Sequence, residues 1–129
     1  MLVTLEILFK SVKARFKYME DRRNPYQFNR VEHWLEPEYL DGVIQGDCED
    51  FALACRKLCR AAEIPSRLWH CTTENGEAHL VLEAGGWILD NRQSHVRANQ
   101  SLPYRWNAIS GFEPGDPWHK TDQREGTNA

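Results

Sequence analysis

The sequence predicts an α+β fold, with helices first in the chain and an antiparallel sheet after them. Apolar residues recur at helical spacing over residues 5–19 and again after Gly46, whereas from residue 67 onward the period becomes two. The turn-forming pairs Asn75-Gly76 and Gly85-Gly86 separate the alternating segments. Helices first and strands later is the order of an α+β domain, so we expect N-terminal helices packed on a small antiparallel sheet.

Each predicted element has its own local signal. The first helix is predicted over residues 5–19 and ends before Pro25, and the second is predicted over residues 48–62. A short helix is predicted near Pro37, in a stretch rich in aromatic residues. The strands are predicted over residues 67–73, 78–83, 87–91 and 104–110.

Length and charge limit the classes of function. The 129 residues hold one domain, which we place at residues 1–114, followed by a flexible tail at 115–129. The net charge of −3 gives no reason to expect nucleic acid or an anionic membrane as a partner. No apolar run approaches the length of a membrane span, and residues 1–6 lack the basic region of a signal peptide. A cytoplasmic location is therefore expected.

Cys48 is placed at the start of the second helix by the sequence Gly46-Asp47-Cys48-Glu49-Asp50. Asp47 can cap the helix, with Asp50 in the reciprocal position of a capping box. A thiol in the first helical turn lies near the positive end of the helix dipole, which favours the thiolate, the reactive form of cysteine. Cys48 is therefore the candidate nucleophile, whereas a buried structural thiol is the alternative interpretation.

His79 and Asp90 are the candidate base and the carboxylate that orients it. His79 enters one predicted strand and Asp90 ends the next. If Gly85-Gly86 forms a two-residue hairpin loop, the register places His79 and Asp90 on one face as diagonal neighbours. Cysteine, histidine and aspartate in this order indicate a nucleophile, its base and an orienting group.

The acidic residues beside the thiol allow two interpretations. Asp47, Glu49 and Asp50, here called the acidic cluster, disfavour a thiolate unless they cap the helix or a cation neutralises them. Three carboxylates in four residues can offer oxygen ligands to Ca²⁺, although capping is the commoner outcome and the chemistry itself requires no cofactor. Gln45 and Trp34 are candidates for an oxyanion hole or the wall of a cleft.

Three blocks of the chain resemble the bacterial transglutaminase-like cysteine peptidase family. They are Gly-Asp-Cys-Glu-Asp-Phe at residues 46–51, Glu-Ala-His-Leu-Val-Leu at residues 77–82 and Leu-Asp-Asn at residues 89–91. The stretch 32–39 also resembles the Trp-x-Thr-Pro-Glu-Glu run of the family, with glutamate where threonine is usual. The similarity spans residues 16–106, and the three blocks occur in the family's order.

The resemblance implies a papain/transglutaminase-like fold, with Cys48 as nucleophile, His79 as base and Asp90 as orienting group. It implies a protein or peptide substrate and a thioester intermediate. It also implies candidate Ca²⁺ ligands in the acidic cluster, because some periplasmic members depend on calcium through residues that flank the cysteine. Short members without an export signal are familiar in phage genomes, so a phage origin is one expectation. The alternatives are an acyl transferase of transglutaminase type and a non-catalytic binding or scaffold module.

Overall fold

Two helices and a six-stranded antiparallel sheet make up the described part of the molecule. The structure is a computed structural model that describes residues 1–21, 46–113 and 115–121, with the backbone alone at 16–21 and 46–47. The helices are α1 (Leu2–Asp21) and α2 (Gly46–Ala61). The strands are β1 (Arg67–Thr72), β2 (Ala78–Ala84), β3 (Trp87–Leu89), β4 (Arg97–Ala98), β5 (Arg105–Ile109) and β6 (His119–Lys120).

The helices pack through the apolar faces that the sequence predicts. On α1 the buried side chains recur three or four residues apart, at Leu5, Leu8, Phe9 and Val12. Phe9 meets Phe51 of α2 edge-on, with the two ring centroids 5.7 Å apart. Helix α2 also packs against β2, and Cys48 in its first turn belongs to the same apolar cluster as Leu80 and Leu82 of that strand.

The strand order in the sheet is β4-β3-β2-β1-β5-β6. Strands β2 and β3 form a hairpin whose two loop residues, Gly85 and Gly86, have φ angles of +60° and +88°. Positive φ at both loop residues matches the twist of the flanking strands, and glycine adopts it without steric strain. Ala84 pairs with Trp87, which confirms the predicted hairpin register.

Side chains on β2 alternate between two apolar clusters. Leu80 and Leu82 belong to the larger cluster, which contains the buried side chains of both helices. Val81 belongs to a smaller cluster with Ile88 and Tyr104, among others. Because residues 79–84 are all buried, this strand is enclosed on both faces. Close packing on both sides restricts the movement of His79 near its start.

The structure confirms the predicted fold class and shifts some element ends. Both helices and the four longer strands lie where the sequence predicts them. The sequence did not predict β4 and β6, because two-residue strands show no alternation. Since β6 pairs with β5, the predicted tail at 115–129 begins with a segment joined to the sheet. The short helix near Pro37 lies outside the described residues, and neither helix within the described ranges is long and apolar enough to span a membrane.

Candidate functional site

Cys48 lies in the first turn of α2, two residues after the helix begins at Gly46. Its side chain is 3% exposed and belongs to the larger apolar cluster. The N–H groups of a first helical turn lack partners within the helix, so their partial positive charge lies near the thiol. Since α2 already includes residue 47, Asp47 lies inside the first turn rather than ahead of it, and its side chain is outside the described part of the chain.

His79 and Asp90 meet across the β2–β3 hairpin. His79 Nε2 lies 2.7 Å from Asp90 Oδ1, with the imidazole 5% exposed and the carboxylate fully buried. The strand pairing around Gly85 and Gly86, continued by one residue, sets Asp90 opposite Val81, two residues beyond His79. The two side chains therefore share a face as diagonal neighbours, as the spacing predicted.

The pair is held in its ionised form. Burial alone would lower the pKa of His79, but hydrogen bonds to Asp90 and Cys48, with the negative charges of both, raise it to about 9. Burial would raise the pKa of Asp90, but the hydrogen bond and positive charge of His79, together with hydrogen bonds from Tyr104 and the Arg92 main chain, lower it. A protonated imidazole beside an ionised carboxylate is the state that results near neutral pH.

The thiol lies close to the same imidazole, because Cys48 is one of the two side chains whose hydrogen bonding and charge raise the pKa of His79. An ionised carboxylate can only accept hydrogen bonds, so His79 Nε2 carries the hydrogen that faces Asp90. Nδ1 is then the ring atom left to exchange a proton with Cys48. The structure thus brings together three of the residues that the sequence singled out, in the order sulfur, imidazole, carboxylate.

Asp90 has two further donors that the sequence analysis missed. The hydroxyl of Tyr104 donates to Asp90 Oδ2 at 2.5 Å, and the main-chain N–H of Arg92 donates to Asp90 Oδ1 at 2.9 Å. The tight turn after β3 brings the Arg92 amide back to the carboxylate. Tyr104 comes from the segment before β5, and no local pattern marks it, since only the sheet brings it to Asp90.

The other three cysteines, Cys55, Cys59 and Cys71, are here called the inner cysteines. All four cysteines are free thiols. Burial raises the pKa of each inner cysteine, in the case of Cys59 to about 11. The inner cysteines are therefore thiols rather than thiolates at neutral pH, which supports their interpretation as small apolar groups.

Two other histidines do not share the geometry of His79. His70 is buried, and its Nδ1 lies 3.4 Å from the side-chain nitrogen of Asn107. His95 is exposed on the segment between β3 and β4. His79, in contrast to these two, forms an ion pair with a buried aspartate, Asp90.

The acidic cluster forms no complete metal site in the described part of the chain. Glu49 and Asp50 are half-buried on the first turn of α2. Among the described residues, no group of three or more His, Cys, Asp or Glu side chains is arranged to hold a metal ion. Gln45 and Trp34, the candidates for an oxyanion hole, lie outside the described residues, so their roles stay predictions.

Comparison with known proteins supports the relationship that the three sequence blocks indicate. The sequence model of the bacterial transglutaminase-like cysteine proteinases matches residues 2–125. No curated protein matches the chain significantly.

Three solved structures of Legionella pneumophila LapG share the fold. One is 16% identical and covers 99% of this chain and 78% of that chain, with a TM-score of 0.54. A calcium-bound form is 16% identical and covers 97% and 82%, with a TM-score of 0.51. An EGTA-treated form is 17% identical and covers 93% and 76%, with a TM-score of 0.51. At these identities the likeness shows that the chain shares the fold of these structures and no more.

Proposed function

The chain belongs to the bacterial transglutaminase-like cysteine proteinase family, and from that premise we propose that it cleaves peptide bonds through Cys48, His79 and Asp90. Membership of the family makes it a transglutaminase-like cysteine peptidase. The single observation that supports the assignment of roles is the buried 2.7 Å contact between His79 Nε2 and Asp90 Oδ1, made by an imidazole whose pKa Cys48 also raises. A nucleophile, a base and an orienting carboxylate in hydrogen-bonding sequence form the arrangement that thiol hydrolysis needs.

In the first half of the proposed reaction, the Cys48 thiolate attacks the scissile carbonyl carbon. A sulfur–carbon bond forms while the carbonyl π electrons move onto oxygen. His79 then gives its Nδ1 proton to the departing amine as the carbon–nitrogen bond breaks, which leaves a thioester on Cys48 and a neutral imidazole. Asp90 keeps the imidazole oriented through Nε2 during both steps.

In the second half, water replaces the amine. Neutral His79 removes a proton from water as the oxygen attacks the thioester carbonyl. The carbon–sulfur bond breaks, the acid product leaves, and the thiolate and imidazolium are restored. The first-turn N–H of Cys48 supplies one donor to the oxyanion in this proposal, and Gln45 or Trp34 supplies a second.

The same thioester permits transfer to an amine in place of water. The alternative activity is therefore acyl transfer of transglutaminase type, on the same three residues and the same class of protein or peptide substrate. A primary amine in the assay separates the two outcomes, since hydrolysis makes new carboxyl termini and transfer makes amides.

The experiment is a comparison of protein termini in a bacterial lysate treated with wild-type protein, Cys48→Ala or Cys55→Ala. Cys55→Ala is the matched control because it removes a thiol from the same helix, seven residues further on. We expect new termini with the wild type and the control, and none with Cys48→Ala. Equal cleavage by Cys48→Ala would overturn the assignment of the nucleophile. A failure of all three folded proteins to generate termini or amine adducts would instead favour the binding-module alternative.

A further inference from the structure

Tyr104 occupies the side of Asp90 that faces away from the imidazole. Its hydroxyl lies 2.5 Å from Asp90 Oδ2, whereas His79 binds Oδ1. The Tyr104 ring also stands edge-on to the His79 ring, with centroids 5.7 Å apart and an angle of 81° between the planes. Tyr104 thus contacts both members of the ion pair, and the side chain is buried at 8% exposure.

The neighbours of the hydroxyl fix the direction of its single hydrogen. Arg92 Nη1 lies 3.0 Å from the Tyr104 oxygen, and Gln93 Nε2 lies 3.3 Å from it. Both groups are donors, so they occupy the lone pairs of the phenol oxygen. The O–H hydrogen is therefore left to point at Asp90, which can only accept.

Each of these donors is itself held by a charged residue. Glu74 binds Arg92 with both carboxylate oxygens, at 2.7 and 3.1 Å. Arg97 Nη1 donates to Gln93 Oε1 at 3.0 Å, and because an arginine cannot accept, this contact sets the orientation of the Gln93 amide. The Gln93 nitrogen must then face the Tyr104 hydroxyl.

We propose that Tyr104 is a positioning residue for the reaction, and that Arg92 and Gln93 orient its hydroxyl so that it always donates to Asp90. The proposal rests on the proposed function of Cys48, His79 and Asp90. A carboxylate fixed at both oxygens cannot rotate about its own axis, so Oδ1 stays aligned with His79 Nε2 while the imidazole takes and gives protons. Burial and the contact with Asp90 raise the pKa of Tyr104, which keeps the hydroxyl protonated as a donor.

The first test is Tyr104→Phe, which removes the hydroxyl and keeps the ring against His79. We expect kcat to fall about tenfold with KM within about twofold, because the lost bond to a charged group orients the base rather than the substrate. Ser101→Ala is the control, since it also removes one hydroxyl, three positions away, whose partner is the carbonyl of Ala98. Unchanged kcat in Tyr104→Phe would overturn the proposal.

The second test reverses the direction of the hydrogen. In Gln93→Glu, one carboxylate oxygen keeps Arg97 and the other accepts the Tyr104 hydroxyl, which draws its hydrogen away from Asp90. We expect a loss of kcat similar to that of Tyr104→Phe, and no further loss when the two substitutions are combined. Multiplied losses in the double variant would show that the two side chains act independently and would refute the orienting role of Gln93.

A third readout does not depend on turnover. The ¹³C chemical shift of the Asp90 carboxyl, followed by pH titration in the Cys48→Ala background, reports the pKa of Asp90 directly. The Tyr104 hydroxyl is one of the groups that lower the pKa of Asp90, so Tyr104→Phe should raise it. An Asp90 pKa that does not change in Tyr104→Phe would refute the positioning role, even if Cys48 is the nucleophile. A raised Asp90 pKa, combined with activity in Cys48→Ala, would refute the proposed function but support the contact between Tyr104 and Asp90.

Discussion

Replacing Asp90 by asparagine should lower the free energy of unfolding, and the loss should be larger at pH 6 than at pH 10. The pKa of His79 is raised from 6.5 to about 9 in the folded protein, so the folded state binds this proton more tightly than the unfolded chain does. That contribution to stability is complete below about pH 6.5 and is lost as the pH rises through about 9. The net rise corresponds to about 3 kcal/mol, which is what Asp90 and Cys48 together contribute after offsetting the effect of burial on the imidazole.

The measurement is urea unfolding of Cys48→Ala and of Cys48→Ala/Asp90→Asn, at pH 6 and at pH 10. The Cys48→Ala background removes the thiol beside His79, and the inner cysteines are the same in both proteins, so their titration cancels in the comparison. The lost hydrogen bond between charged groups should make Cys48→Ala/Asp90→Asn less stable by about 1.5–3 kcal/mol at pH 6. At pH 10 His79 is neutral in both proteins, so this part of the difference should disappear. A constant part should remain, because the amide of asparagine would turn a donor toward the Tyr104 hydroxyl. Equal differences at pH 6 and pH 10 would refute the description of His79 and Asp90 as a buried ion pair.

Three other measurements test the account of the thiols, the acidic cluster and the hairpin. Brief treatment with iodoacetamide, followed by mass mapping, should label Cys48 before any inner cysteine, because burial keeps the inner cysteines protonated; earlier labelling of an inner cysteine would contradict this. EGTA should leave the melting temperature unchanged if the acidic cluster serves the helix N-terminus, whereas a fall that Ca²⁺ reverses would assign a cation to it. Gly86→Ala should lower the free energy of unfolding by about 1 kcal/mol, because the site has space for a methyl group but a φ of +88°; an unchanged midpoint of urea unfolding would show that the loop tolerates another backbone conformation.

The contact between His79 and Asp90 could be predicted from the sequence because the geometry of a hairpin follows from its loop, its register and the faces of its strands. The glycine pair defined the loop, the loop defined the register, and the period of two defined the faces. Each step used residues close together in the chain. The prediction that Cys48 lies at the start of a helix needed only a local sequence signal. The packing of α2 on the sheet then sets the position of that helix start in space.

The surroundings of Asp90 could not be predicted in the same way. Tyr104 lies 14 residues beyond Asp90, after the strand β4 and a short helical turn that have no sequence pattern of their own. Its position depends on the pairing of β5 with β1, which includes a register shift between His70 and Cys71. A bulge of this kind depends on tertiary packing rather than on local alternation, so spacing gives no access to it.

The division of the site between one hairpin and one helix makes it modular. His79 and Asp90 are 11 residues apart on the same hairpin, so the contact between them is short-range in sequence and can form early in folding, before Tyr104 completes it. The Cys48 sulfur belongs to α2, and the apolar packing of this helix on the sheet sets the distance from the sulfur to the imidazole. Since a misplacement of about 1 Å can cost about a hundredfold in rate, small volume changes under α2 should weaken the enzyme while the hairpin and its ion pair stay intact. Sequence drift in the helix core is therefore a route by which a relative of this protein can lose turnover and keep a fully formed base.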